Sequence, residues 1–440
     1  MNSIEIDSVF GIWESFDWYL LSSKYSQESI FYCPNLKVSL LITKNFARRI
    51  KDNDFPSSIQ KILKGKENNP IYPTIERPKA FHLAIGLTNN CTLGCLYCHA
   101  EADKNKIIDT RYIDHAIEYA FQNASKTPRK ILTVSFAVGG EPTMGWSLFK
   151  STINKIRERE QRKYCNVNKV YLSMTTNCYY GKDKRKYISE NFDTLTLSLD
   201  GPKEIHDIHR PTRNDTSSYE IVKESCEFFI KSTSVKVGIR STVSSISVQK
   251  LSDIVQYFYE LFGNRFSITF EPLIQIGRAL KNNLQSPNED DFTYNFWEAY
   301  QVGKKLGINV TSSGVNINRL ITRYCGAMSI PSFTVCTDGT ITACHRDQNG
   351  KDYNYGKIDI ATNQVLIDSS KITKNVSLAE TPEYCKKCFA KYHCAGDCPD
   401  IRRIDYSRCN FNRFIIFKQL EELLNNKIDK KNPILANKPS

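Results

Sequence analysis

The sequence predicts an α/β protein built on a parallel sheet, with a small unit before it and a cysteine-rich region after it. Three observations carry this reading. Strand-like apolar runs recur at 81–87, 131–137, 169–176, 194–200, 236–243 and 266–273. Helical patterns separate them, and six strand–helix repeats of this length argue for a parallel sheet, open or closed toward a barrel. Eight of the 15 cysteines then fall between Cys325 and Cys409, where the strands shorten. Such a region is expected to be held by metal more than by a large core.

Taken in order, residues 1–66 form a small N-terminal α+β unit. Two strand-like runs within Ser29–Ile42 flank Pro34-Asn35, which is good turn chemistry. Helical patterns follow near Asn45–Lys51 and Ser57–Lys64. The unit is short for a core of its own, so it is expected to pack on the next domain or to receive a peptide at a strand edge. Cys33 reads as a buried thiol. Lys64–Lys79, with Pro70, Pro73 and Pro78, reads as a linker.

The sheet domain occupies 80–273. Its helices show one apolar face each: Tyr112, Ile113, Ala116, Ile117, Ala120 and Phe121; Leu148, Phe149, Ile153 and Ile156; Leu251, Ile254, Val255, Phe258 and Phe262. Residues 274–323 begin as a polar connection and continue as a helix over about Phe292–Leu306. The cysteine-rich domain spans 324–412. A closing helix, marked by Phe411, Phe414, Ile415, Leu420 and Leu424, leads into a tail after Asn432, within 413–440.

Composition narrows the partners. No apolar run approaches the ~18 residues of a membrane span. Glu5 and Asp7 precede the first aromatics, unlike a secretory signal. A cytoplasmic protein is expected, in which disulfides are not, so the cysteines point to metal. The net charge of +13 suits nucleic acid or an acidic peptide. The lysines, however, are spread along the chain and no basic stretch is interleaved with aromatics, so neither nucleic acid nor a membrane is expected as a partner.

In parallel α/β folds the site lies at the C-terminal strand ends. The first run ends in Cys91-Thr-Leu-Gly-Cys95-Leu-Tyr-Cys98, a loop that can turn three thiolates toward one point. Three thiolates leave a tetrahedral zinc one ligand short, while an iron–sulfur cube on three cysteines keeps one iron open. The second run ends in Gly139-Gly140-Glu141-Pro142, whose glycines allow close backbone approach to a ligand. The third ends in Thr176-Asn177, the fourth in Ser198 and Asp200, followed by Arg210, and the fifth holds Arg240. Guanidinium forks suit carboxylates, or else structural ion pairs. Cys165, Cys178 and Cys226 read as inert core thiols.

Together these residues resemble the radical S-adenosylmethionine (SAM) enzymes. That family has a TIM-like partial (β/α)6 barrel with a [4Fe–4S] cluster on three cysteines, here Cys91, Cys95 and Cys98. The cofactor chelates the open iron and is cleaved to a 5′-deoxyadenosyl radical that takes hydrogen from substrate. The resemblance implies that Gly139, Gly140, Glu141 and Pro142 cradle the methionyl amine. It also implies that Ser198 with Arg210, Arg240 or both holds the carboxylate, and that Thr176 and Asn177 lie near the ribose.

The C-terminal cysteines resemble a SPASM domain, an iron–sulfur domain with two auxiliary [4Fe–4S] clusters. Cys325, Cys344 and Cys398 would serve the first, and Cys385, Cys388, Cys394 and Cys409 the second. Cys336 is either a fourth ligand of the first or a bystander beside an iron open to substrate. A zinc ribbon is the competing reading, but it explains neither Gly339-x4-Cys344 nor the barrel motifs.

Enzymes similar to this modify peptides or proteins. The expected activity is oxidative crosslinking, thioether or carbon–carbon, of a ribosomally made precursor peptide, with an electron donor such as flavodoxin or ferredoxin. The alternative is maturation of a protein, of the sulfatase formylglycine or dehydrogenase cofactor type. Sulfatase maturases carry an Asp base directly after the Gly-x4-Cys cysteine, where this chain has His345. That residue is expected either near substrate or at the surface. Glu271 and Asp200 are the candidate general bases.

Overall fold

The computed structural model describes residues 6–23, 28–72, 80–100, 105–162, 165–329, 332–348, 350–404 and 408–431. The linker's Pro73 and Pro78 and the tail after Asn432 lie outside them. The chain divides into two units: Met1–Ile75 with Gly314–Cys325 and Ala379–Ser440, and Glu76–Ser313 with Gly326–Leu378.

The first unit contains an antiparallel sheet in the order β1 (Ile6–Trp13), β2 (Phe16–Ser23), β3 (Glu28–Cys33) and β4 (Val38–Thr43). The turn at Pro34–Leu36 joins β3 to β4 as expected, closing on Lys37 in the left-handed region. The β1–β2 hairpin was not among the expected strands. Alternation along the strands sends side chains to two faces. Trp18, Leu20, Phe31, Cys33 and Val38 pack with Ala47, Ile50, Ile59 and Leu63 of helices Lys44–Lys51 and Ser57–Glu67. Tyr19, Leu21, Ile30 and Tyr32 pack with Phe389, Ile416, Phe417 and Leu420. Each large apolar side chain so buried contributes roughly 1.5–3 kcal/mol. The expectation that the N-terminal unit holds little core of its own is therefore corrected. Its sheet is buried on both faces, and its second layer comes from the C-terminal segment.

The second unit is organised around one sheet. Parallel strands β5 (Ala80–Ile85), β6 (Ile131–Phe136), β7 (Lys169–Thr176), β8 (Thr194–Ser198), β9 (Lys236–Val243), β10 (Ser267–Pro272) and β11 (Asn309–Thr311) follow one another in space as in sequence. Short helical crossovers between adjacent parallel strands give the right-handed winding of a barrel wall. β5 does not pair with β11, so the barrel is partial. Beyond β5 the sheet continues through β12 (Phe333–Val335), β13 (Thr340–Thr342), β14 (Asn354–Asp359) and β15 (Gln364–Ile367), for eleven strands in all. The region 324–412 is thus not one separate domain. Its strands extend the barrel sheet, while its last cysteines belong to the first unit.

Helix Thr110–Ala124 starts on an Asp109 cap and buries Ile113, Ala116, Ile117, Ala120 and Phe121. Helix Leu251–Phe262 buries all five residues of its expected face and ends at Gly263, φ 75°. The barrel strands bury Leu132, Val134, Leu172, Leu195, Leu197, Ile239, Ile268 and Phe270 on one face. The alternate positions are polar, and register sets Ser198, Arg240, Thr269 and Thr311 side by side, with Thr242 and Glu271 in the next row. A parallel strand sandwiched between apolar layers would be apolar on both faces. A polar second face offers side chains that can bond a ligand.

Candidate active site

The loop carrying Cys91, Cys95 and Cys98 leaves the C-terminal end of β5 and is clasped by four segments. Gly94 N donates to Pro211 O (2.8 Å) and Leu96 N to His209 O (3.0 Å). Arg278 N donates to Cys98 O (3.2 Å), and Asn282 Nδ2 to Leu96 O (2.9 Å). The connection after β10, expected to be a plain linker, therefore helps to shape the loop.

The Gly-Gly-Glu-Pro turn after β6 is the third clasp. Gly140 N donates to Thr88 O and Glu141 N to Asn90 O, both at 2.7 Å. A Cβ on Gly140 would lie 1.9 Å from Asn90 O, and one on Gly139, φ 89°, would lie 2.6 Å from Thr88 O. The glycines let this turn lie against the three residues that lead into Cys91. Glu141 is buried and accepts from Asn177 N (2.8 Å), Thr176 Oγ1 (3.1 Å) and Thr143 Oγ1 (3.0 Å). Burial raises its pKa despite these donors. Its carboxylate is engaged within the protein, so an amine would meet the backbone of the Gly139–Pro142 turn.

Asn177 supplies the fourth clasp. Its Nδ2 lies 3.4 Å from Cys91 Sγ and 2.9 Å from Thr92 Oγ1. Thr176 is buried between Glu141 and Tyr180. Within the protein, Asn177 holds the cysteine loop and Thr176 the neighbouring turn.

The three thiols share one environment. Burial pushes Cys95 up to about 12, with Arg210 opposing and Cys91 and Cys98 adding to the rise. Cys91 is raised by burial, then by Glu141 and Cys98. Clustered thiols favour soft metal, which replaces their protons. Among the described residues no three His, Cys, Asp or Glu side chains converge tightly enough for one metal ion. A cube places its thiolates on separate irons and does not require that convergence. The donor set fits an iron–sulfur cluster.

The two arginines and the two candidate bases separate by what they touch. Asp200 is fully buried and accepts from Tyr97 Oη (2.6 Å), Arg210 Nε (2.9 Å) and Thr242 N (3.0 Å). Burial alone would raise its pKa, but Arg210 and then His209 hold it well below the carboxylate range. A carboxylate so held is a poor proton acceptor, so the reading of Asp200 as a base is corrected. Arg210 is engaged by Asp200 and stacks on Tyr97, 5.1 Å from the ring centre. Arg240 is exposed on the polar face beside Ser198 and makes no ion pair among the described residues. Glu271 is half-buried at the end of β10, oriented by Ser313 N (3.0 Å) and the Ser313 hydroxyl. The Tyr97–Asp200 bond and the grip of Glu141 on Asn177 were missed in the sequence, since only the folding of the loops at the strand ends brings those residues together.

In the first unit, Cys385, Cys388, Cys394 and Cys409 gather. Burial pushes Cys385 up to about 11, with Cys388 and Cys409 adding. It pushes Cys394 up to about 12, with help from Cys388 and Cys385. Cys398 and Cys325 belong to this unit, Cys336 and Cys344 to the other. Cys336 sits at the turn of the β12–β13 hairpin, its thiol donating to Asp347 O at 3.7 Å. Burial, then Asp338 and Asp347, raise its pKa, an environment that suits the bystander reading. His345 is 3.1 Å from Ser332 Oγ, which also meets His82, and burial lowers its pKa to about 4. Cys178 and Cys226 are buried and Cys165 is half-buried.

Residues 85–248 match the Radical SAM superfamily. The chain is 25% identical over 325 residues to a cysteine-type anaerobic sulfatase-maturating enzyme of Clostridium perfringens, covering 71% of this chain and 86% of that one. Its fold is similar to that of anSMEcpe with bound AdoMet, with TM-score 0.62, 24% identity, and 80% and 97% of the two chains covered. It is also similar to that of Streptococcus suis SuiB bound to S-adenosylmethionine, with TM-score 0.50, 12% identity, and 94% and 99% covered. SuiB has also been solved with its precursor peptide SuiA. No helix among the described residues is long and apolar enough to cross a membrane.

Proposed function

Taking as premise that residues 85–248 form a radical SAM domain and that the chain is a radical SAM enzyme, we propose that it oxidatively crosslinks a ribosomally made precursor peptide. The observation that carries this is the N-terminal sheet. It has its own core and shares a unit with the four gathered cysteines. It is an element beyond the radical domain whose strand edges would receive a peptide. The likeness of fold covers 94% of the chain for SuiB and 80% for anSMEcpe. At the position after Cys344 the side chain is His345, turned toward Ser332.

When bound, the cluster and S-adenosylmethionine supply an electron and a carbon radical that removes an unactivated hydrogen. The chain's part is to bind and orient. Cys91, Cys95 and Cys98 would hold the cluster. The Gly139–Pro142 turn would receive the methionyl amine, and Arg240 with Ser198 the carboxylate, because Arg210 is engaged by Asp200. Glu271 would take the substrate proton, its carboxylate oriented by Ser313. Cys385, Cys388, Cys394 and Cys409 would hold one auxiliary cluster. With the further auxiliary cluster that the cysteine motif implies, three clusters in all would be fed by a flavodoxin- or ferredoxin-type donor.

Mass spectrometry of a precursor peptide, encoded next to this gene and co-expressed with it, tests the proposal. The expected product has lost two hydrogens and carries an internal bond, and it disappears with Cys95→Ala. The second reading, maturation of a protein, is favoured by the 25% identity to a sulfatase-maturating enzyme over 86% of its length. Conversion of a sulfatase cysteine to formylglycine, with the peptide untouched, would establish it instead.

A further inference from the structure

Asn177 has partners for its backbone N–H and for both ends of its side-chain amide. Its Oδ1 accepts from Tyr179 N at 2.9 Å, and its backbone N donates to Glu141 Oε2 at 2.8 Å. Because Oδ1 faces a backbone N–H, the amide cannot be turned around, and the NH2 group must face Cys91 Sγ and Thr92 Oγ1. The side chain is 7% exposed, so water does not compete freely for it. Glu141, buried and bonded to Thr176 and Thr143 as well, fixes the end of β7 from which Asn177 projects.

On the reading that Cys91, Cys95 and Cys98 hold a cluster, we propose that Asn177 is a positioning residue, anchored by Glu141, that sets the cluster's reduction potential through an N–H···S bond to Cys91. Hydrogen bonds to cluster sulfurs are one of the protein's levers on potential. A thiolate that accepts one pushes less charge onto iron. The form carrying the extra electron gains most from this, so the potential rises. Electron uptake here adds one electron from the external donor and breaks no bond.

The test is an anaerobic redox titration of the reconstituted full-length chain, followed by electron paramagnetic resonance. The signal to follow is the one that changes when S-adenosylmethionine is added and that is absent from Cys95→Ala. Asn177→Ala should make its reduction about tenfold less favourable, ~59 mV for one electron. Asn177→Asp, the same shape with no donor, should fall further, and Asn177→Ser, with a shorter donor, should lie between wild type and Ala. Iron content should be unchanged in all three. Equal midpoints in loaded variants overturn the proposal. So does loss of iron from all three, Ser included, because Asn177 would then only support the fold. A wild-type protein with no signal that responds to S-adenosylmethionine would instead overturn the cluster reading beneath it.

Discussion

Two arginines that look interchangeable along the chain differ in their partners. Arg210 is buried against the fully buried Asp200. Removing one member of such a pair leaves a desolvated charge and costs roughly 3–5 kcal/mol. Arg210→Ala should therefore lower the melting temperature strongly, as seen by scanning calorimetry. Arg240 makes no ion pair among the described residues and faces the polar side of the sheet. Losing a charged hydrogen bond to a carboxylate costs about 1.5–3 kcal/mol of binding. Arg240→Ala should weaken S-adenosylmethionine binding by roughly 10- to 100-fold with little change in melting. The reverse pattern, stable Arg210→Ala with lost binding, would exchange their roles.

At the level of elements, the Gly139–Pro142 turn acts through the segment it touches. A methyl group on Gly140 would collide with Asn90 O, backbone that cannot swing aside, and displace the residues before Cys91. Gly140→Ala should lose iron at the Cys91 site. Gly181→Ala, with nothing within 4 Å, should load as wild type. Metal analysis after reconstitution distinguishes them, and equal loading would refute the clasp. The cysteine loop, this turn and the six barrel strands were legible because each is written in adjacent residues. The β1–β2 hairpin was not, since its turn places Glu14 at φ 53° without the glycine or asparagine that usually marks such a position. β11 is three residues long and leaves no periodic trace. The engagement of Asp200 by Arg210 and of Asn177 by Glu141 left no mark in the sequence, because side-chain partners are set by how the segments after the strands fold together.

For the whole molecule, the close spacing of the C-terminal cysteines was legible and their division between two units was not. β12 joins β5 across about 250 residues, a pairing that leaves no local mark. The sheet of the first unit covers Phe389, Ile416, Phe417 and Leu420, and Cys394 lies in the same core. A chain lacking residues 6–72 should therefore expose that core and hold roughly four fewer irons, one cube. Full iron content in a well-behaved truncated protein would show the N-terminal unit to be an appendage. The central claim is that Cys91, Cys95 and Cys98 form a site that cleaves S-adenosylmethionine. Its most direct test is chromatography of the anaerobically reduced protein incubated with S-adenosylmethionine. Wild type should produce 5′-deoxyadenosine and methionine, and Cys95→Ala none. A wild-type chain that binds zinc in place of iron and yields no 5′-deoxyadenosine would contradict it.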